Sequence, residues 1–316
     1  MEDINTFAQF QIDNDIKDII LLKKNIKNIP NNFGCNLPSV ENIIISNNYF
    51  TSLPDCFGHN LPKLLILNLN RNNLKILPNH FGQNLPSLEI LNLSVNLLTS
   101  LPDGFGYNLP KLKKIDLNNN EINKLNSDFG PNLSLSVENI FLSDNQLSSL
   151  PDGFGQNLPK LEYLSLNDNQ LTSLPDGFGL NLPKLTFIYL NVNQLTSLPD
   201  GFGQNLPNLK ELYLDGNKLT SLPDGFGQNL PRLKKLYLSD NKLTSLPDGF
   251  GQNLPNLKEL YLDDNKLTSL PDGFGTNLPK LKWISIFSSD NEINDLPNII
   301  NRLTKNPQLQ VEYNQL

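Results

Sequence analysis

The sequence predicts an α/β-type solenoid: one long parallel sheet on one side, built from a repeated short unit, with turns or short 3₁₀ segments behind it. Three observations predict it. Residues 209–232, LKELYLDGNKLTSLPDGFGQNLPR, recur almost unchanged as 233–256 and 257–280. Extending that 24-residue frame in both directions gives about twelve units, from near Asp13 to near Ile300. The glycines and prolines keep the frame: 11 of 19 glycines fall at unit position 19 and seven at position 17, while 11 of 23 prolines fall at position 15 and 10 at position 23. An array of this kind escapes the usual expectation of about two domains for 316 residues, because each unit touches only its neighbours.

Position 1 is the first leucine of the unit, Leu209 in the clearest copy. Positions 3 to 7 alternate, as in Glu211-Leu212-Tyr213-Leu214-Asp215, which predicts a short strand with its leucines on one face. Stacking such strands at about 4.8 Å makes a parallel sheet. Position 9 is Asn in eleven of the twelve units. Its amide carries two donors and an acceptor, enough to pair with backbone groups left open where the strand turns. Prolines at positions 15 and 23 bracket Asp-Gly-Phe-Gly-Gln-Asn-Leu, which leaves room for a turn or a short 3₁₀ segment but no long helix. Phe at position 18 in eleven units, Phe33 to Phe274, predicts a column of rings at the back of the core. A second Asn column at position 21 is expected to tie down the turns behind the sheet.

The ends depart from the frame. Residues 1–15 carry Ile4, Phe7, Phe10 and Ile12 and read as an N-terminal cap, partly helical; Lys24 stands where the first Asn belongs. The solenoid is expected over 16–297. A C-terminal cap follows over 298–316, with Leu309 and Val311 suggesting a last strand. Terminal units must cover an open core. One unit holds an extra residue around Ser134–Ser136, and another has Ser288-Ser289 inserted, which is expected to bulge at the rim.

The pattern LxxLxLxxNxLxxLP, followed by Phe and Leu, resembles the leucine-rich repeat family, closest to its 24-residue typical class, over about nine-tenths of the chain. The Phe-Gly-x-Asn-Leu-Pro ending is unusual for that class. The resemblance implies a horseshoe with the sheet on its concave face and a protein-binding role. A bare array of this style also resembles effector proteins of intracellular bacteria or large viruses.

Composition narrows the function. A net charge of −7 argues against binding a phosphate backbone. Two cysteines make no disulfide framework, which suits a reducing compartment. The first fifteen residues are acidic, without an apolar run of signal-peptide length, and no stretch approaches the roughly 18 apolar residues that span a bilayer. The expectation is a soluble, monomeric protein without cofactor, cytoplasmic or delivered to a host cell by a leaderless route.

Positions 3, 5 and 7 point away from the core. They carry Tyr163, Phe187, Tyr189, Tyr213, Tyr237, Tyr261, Trp283 and Phe287 in the C-terminal half, against mostly Asn and Ser in the N-terminal half (Asn68, Asn70, Asn92, Asn118). Exposed contiguous aromatic area marks a binding site, and Tyr and Trp dominate interface energetics. Duplication alone would copy Tyr213, Tyr237 and Tyr261, but Tyr163, Phe187, Trp283 and Phe287 lie outside the near-identical copies. Charges of both signs accompany them, Glu211 and Asp215 among others, as on the polar rim of a protein interface. Eight aspartates at position 16 form an acidic ridge that reads as a solvated, turn-forming column. Cys35, Cys56, His59 and His80 should share one patch of the turns, and Cys56-x-x-His59 has zinc-like spacing. Neighbouring units place Gly or Gln there, however, so no metal is expected. The leading reading is a non-catalytic module that grips another protein. The alternatives are the recognition arm of an enzyme complex, such as substrate binding by a ubiquitin ligase, or a structural or decoy repeat protein.

Overall fold

The computed structural model describes residues 15–82, 84–130, 133–155, 158–179, 182–203, 206–227, 230–252, 254–275, 278–287, 291–293, 296–303 and 308–313. The expected N-terminal cap except Asp15, the Ser288-Ser289 bulge and all but four members of the second Asn column lie outside them. The chain divides into two compact units, Met1–Leu161 and Glu162–Leu316.

The first unit holds six three-residue strands: β1 (Asp18–Ile20), β2 (Asn42–Ile44), β3 (Ile66–Asn68), β4 (Ile90–Asn92), β5 (Lys114–Asp116) and β6 (Asn139–Phe141). Each pairs in parallel with the next, in the register of the repeat. The second unit continues the pattern with β7 (Tyr163–Ser165), β8 (Phe187–Tyr189), β9 (Glu211–Tyr213), β10 (Lys235–Tyr237), β11 (Glu259–Tyr261) and β12 (Trp283–Ser285). Helix α1 (Leu296–Leu303) and strand β13 (Gln310–Glu312) follow, and β13 pairs with β12 so that Val311 faces Ile284. The expected last strand is therefore present. The solenoid with parallel strands expected from the repeat is what the chain forms.

The core is built from the same positions in every repeat. Leu209, Leu212, Leu214, Leu219, Leu222, Phe226 and Leu230 are all buried, and so are most of their equivalents within each unit; Ile16, Ile29, Leu270 and Leu296, near the two ends, are only partly covered. Each such side chain contributes about 1.5–3 kcal/mol on burial. In the first unit the phenylalanine rings stack at 6.1 to 6.4 Å from Phe57 to Phe154, with Phe33 tilted against Phe57 at 6.2 Å. In the second they stack at 6.2 to 6.4 Å from Phe178 to Phe274. Behind them the chain turns without 3₁₀ helix among the described residues. The amide of Phe226 donates to the carbonyl of Pro223 at 3.0 Å, closing a turn whose third residue, Gly225, has φ 75°. That conformation explains glycine at position 17. The aspartates at position 16 lie exposed at the second residue of these turns, as a solvated column.

The buried asparagines join each repeat to the one before. The Asn217 amide donates to the carbonyls of Leu190 (2.9 Å) and Leu214 (3.0 Å), while its Oδ1 accepts from the amide of Leu195 at 3.0 Å. Asn96 makes the same bonds in the first unit, to Leu69, Leu93 and Leu74. Where Lys24 replaces the asparagine of the first repeat, its own amide donates to Asn48 at 3.0 Å, so the ladder begins one repeat later.

Position 8 carries a constraint that the leucine pattern does not reveal. Its backbone is left-handed from Asn47 (φ 57°) to Asp264 (φ 49°). Asn and Asp tolerate that region, and Gly216, the one glycine outside positions 17 and 19, occupies it at φ 64°. Val95 and Val192 occupy it too, at φ 55° and 53°, although they are β-branched.

The extra residue near Ser134 is absorbed in a turn. The Ser134 hydroxyl donates to the Pro110 carbonyl at 2.6 Å, and Leu135 is pushed into solvent. Strand β6 keeps its register, with Asn139 opposite Lys114. At the C-terminus Leu303 of α1 packs over Gly275 as Leu254 packs over Gly227, so the helix supplies the side chain that the next repeat would have supplied.

Two outcomes follow from these arrangements. Asn217→Ala strands three buried backbone groups and should cost at least about 2 kcal/mol. Hydrogen exchange would then show loss of protection at the Leu195 amide before other core amides, and unchanged protection there would refute the ladder's role. Val192→Asn relieves strain of about 1 kcal/mol at a half-exposed site where little packing is lost. It should raise the thermal midpoint by roughly 2 °C or more, checked by calorimetry.

Candidate functional site

The solvent face of the second unit is organised by strand register. Parallel pairing puts Tyr189 beside Tyr213, Tyr213 beside Tyr237 and Tyr237 beside Tyr261. Their rings stack at 4.4 Å between centroids with interplanar angles of 10° or less. At β7 this position is Ser165, small and buried. Tyr163, two residues earlier, leans across to stack on Tyr189 at 5.2 Å and meets Phe187 at 5.7 Å. Five tyrosines on five consecutive strands thus form one row.

The remaining aromatic candidates stand apart from it. Trp283 sits opposite Glu259 on β12, and Phe287 is about half exposed. Among the described residues no ring contact joins either to the row. It ends instead at Ser285, whose hydroxyl donates to Asp263, and at the Phe287 amide, which donates to Asp263 at 2.8 Å. Because the rings cover one another's faces, the row presents edges and hydroxyls to solvent. The tyrosines also support one another structurally, which alternation along a single strand cannot reveal.

Charges flank the row in order. At position 3, Lys235 lies 3.9 Å from Glu211 and 3.7 Å from Glu259. Tyr213 donates to Glu211 at 2.7 Å and Tyr237 to Glu259 at 3.4 Å. Burial pushes the phenols of Tyr163, Tyr213 and Tyr237 well above the ordinary tyrosine range. For Tyr213 the hydrogen bond to Glu211 adds to this, since losing the proton would place two anions together. Beyond the row, burial raises the Asp215 carboxyl, and Asp240 and Asp168 repel its charge further. Its Oδ1 is buried without a hydrogen-bond partner, as is the Oδ1 of Asn191 one strand before.

The Cys/His patch belongs to the first unit. Cys35 and Cys56 are joined by a disulfide, with their Cα atoms 5.0 Å apart across adjacent turns. Their thiols are therefore not free to act as metal ligands, and His59 and His80 lie exposed. The repeat frame brings the two cysteines to one patch, but a count of two suggested no bridge. The disulfide arises because the solenoid sets position 20 of one repeat against position 17 of the next, and it removes the basis for expecting a reducing compartment. A loop closed over a separation of 21 residues adds about 3 kcal/mol.

Parallel strands paired in repeat register within each unit, buried asparagines at the strand ends and an open sheet face define a short-strand repeat solenoid. The family model described as leucine rich repeat matches residues 38–98, 86–135, 136–195, 183–243, 207–267, 231–293 and 255–316, and the chain belongs to that family. Leucine-rich repeat domains are generally protein–protein interaction modules and typically non-enzymatic. The chain is similar to a solved leucine-rich repeat protein of Leptospira interrogans, 29% identical with a TM-score of 0.60, over 95% of this chain and 84% of that one. It is also similar to the plant peptide hormone receptor RGFR1, solved in complex with RGF2, at 29% identity and a TM-score of 0.70. That likeness covers 82% of this chain but 41% of the receptor chain. The leucine-rich repeat domain of APL1B shares the fold, with a TM-score of 0.75 at 21% identity over 98% and 97% of the two chains. No curated protein matches the chain. Among the described residues no helix is long and apolar enough to cross a membrane.

The raised phenols predict a pH dependence. An unfolded tyrosine ionises near pH 10, whereas Tyr163, Tyr213, Tyr237 and Tyr261 keep their protons to higher pH. The unfolded state therefore binds fewer protons above that point, and the stability present below about pH 10 is lost as pH rises toward the folded values. Denaturant midpoints measured at increasing pH should fall more gently in Tyr213→Phe, which keeps the ring and removes the ionisable group. An identical slope in the variant would show that burial of this phenol does not contribute.

Proposed function

We propose that the chain is a non-catalytic binding module that holds another protein on the sheet face of its second unit. The observation that carries this reading is the continuous row Tyr163-Tyr189-Tyr213-Tyr237-Tyr261. Rings already stacked lose little freedom when covered, so a partner gains aromatic contact area at small entropic cost. The hydroxyl edge supplies polar contacts along the same line, and the Glu211–Lys235–Glu259 network holds that edge in place. Membership of a family of interaction modules supports the reading. The partner-facing set comprises the row with Phe187, Glu211 and Asp215. Trp283 and Phe287 form a separate aromatic contact beyond Asp263.

Affinity capture followed by calorimetry on the captured protein tests this. Tyr213→Ala/Tyr237→Ala should weaken binding at least about tenfold, as expected for central aromatic anchors worth roughly 2 kcal/mol each. Loss of ring stacking should cost about 1–3 kcal/mol of stability as well, so binding is compared below the thermal midpoint of both proteins. Asn68→Ala, at the same strand position in the first unit, serves as the control. Normal binding by the tyrosine variant would remove the row as the site.

A further inference from the structure

Position 2, where the chain enters each strand, differs between the two units. In the first unit its charges alternate and pair across strands: Lys17 with Glu41 at 3.1 Å, and Lys113 with Glu89 at 2.7 Å. In the second it reads Lys210, Lys234, Lys258 and Lys282 on four consecutive strands. These residues are direct neighbours, since the amide of each donates to the carbonyl of the one before at 2.7 to 2.8 Å. Like charges at adjacent sheet positions oppose folding.

Position 24, just before, adds Lys184, Arg232 and Lys280. Arg232 and Lys280 donate to the neutral amides of Asn208 and Asn256, at 2.7 and 2.6 Å. Among the described residues none of these seven cations pairs with a carboxylate, because the nearby Glu211 and Glu259 are engaged by Lys235 and the tyrosines. A shallow depression of about 280 Å³ lies among Lys184, Thr186, Asn208, Lys210, Arg232 and Glu162.

Composition does not account for this edge, since the chain as a whole carries −7. Nor does duplication. Lys184 and Lys282 lie outside the near-identical copies, and position 24 varies within them from Arg232 to Asn256 to Lys280. The opposite side of the tyrosine row carries Asp215, Asp240, Asp263 and Asp264. The face is therefore basic where strands begin and acidic where they end. A broad polyanion laid over it would meet repulsion along one side.

We infer that the lysine edge docks an acidic, extended peptide segment of the partner protein, running across β9 to β12 with its carboxylates over the lysine column. The inference rests on the reading of the tyrosine row as a protein-binding face, and it specifies the chemistry of what binds there. The segment would relieve the repulsion among stacked lysines while the rest of the partner covers the tyrosine edges.

The test uses the full chain and a fluorescent peptide of about eight residues, alternating glutamate and serine, long enough at roughly 3.3 Å per residue to cross the four lysine-bearing strands. Its glutamine counterpart and an oligothymidine of similar length are the comparison probes. Anisotropy should report binding of the acidic peptide, weakened at least about tenfold when salt rises from about 50 to about 300 mM. The variant Lys210→Glu/Lys234→Glu/Lys258→Glu should also bind at least about tenfold more weakly. A circular dichroism melt of this variant checks that it is folded.

No binding of the acidic peptide at low salt would overturn the inference. So would equal binding of the glutamine peptide, an unaffected lysine variant, or oligothymidine bound as tightly as the peptide. Tyr213→Ala/Tyr237→Ala is measured beside them to keep the two readings apart. A captured partner that loses affinity on the tyrosine variant but not on the lysine variant refutes the edge alone. Peptide binding that depends on the lysines, with a partner indifferent to the tyrosines, refutes the row and leaves the edge.

Discussion

The rest of the structure depends on how each repeat leaves the sheet. At the end of every three-residue strand the chain must turn away, and doing so strips carbonyls and amides of their ladder partners in a place closed to water. From the second repeat on, an asparagine at position 9 takes up those groups. Asn217 holds the carbonyls of Leu190 and Leu214 and receives the amide of Leu195, so a single side chain secures two successive turns. The left-handed residue just before it sets the direction of departure. With both in place, each repeat meets the one before it at the same frame positions, and the leucine and phenylalanine columns within each unit follow.

That constraint converts sequence repetition into surface chemistry. A residue type repeated at one frame position becomes a column with strand spacing, for good or ill. Tyrosine profits, because rings at this spacing stack and hydrogen-bond along the row. Lysine does not, because its charges are held side by side. The first unit interleaves glutamate at the same position and neutralises the cost through cross-strand pairs. The absence of such interleaving from β9 to β12 is what makes the lysine edge informative. Lysines held in line without such pairs leave a repulsion that a bound acidic segment would relieve.

The departures from the repeat follow the same logic. An extra residue is harmless behind the sheet, where Ser134 closes a longer turn and strand register is kept. Helix α1 and β13 abandon the repeat sequence yet reproduce its contacts, with Leu303 over Gly275 and Val311 beside Ile284. The disulfide between Cys35 and Cys56 ties two neighbouring turns of the first unit, where position 17 lacks the glycine of later repeats.

The 24-residue frame by itself determined the strands, the asparagine ladder, the buried phenylalanine column and the side of the sheet on which the tyrosines stand. All of these depend on local periodicity, and every repeat states them again. Tertiary structure decided what depends on one repeat lying against the next. It stacked the tyrosine rings face to face, so that edges and hydroxyls meet the solvent. It let Tyr163 fill the space over Ser165, and it left Trp283 and Phe287 outside the row. It sorted charges that read as mixed along the chain into a basic edge and an acidic edge, and it joined two cysteines 21 residues apart. Gly216 and the asparagines and aspartates at position 8 are compatible with a left-handed residue there, but Val95 and Val192 in the same conformation are not signalled by residue type. The physical reason is common to all of these. A repeat specifies its own fold through short-range pattern, whereas contacts between side chains of adjacent repeats exist only when the strands are laid in register.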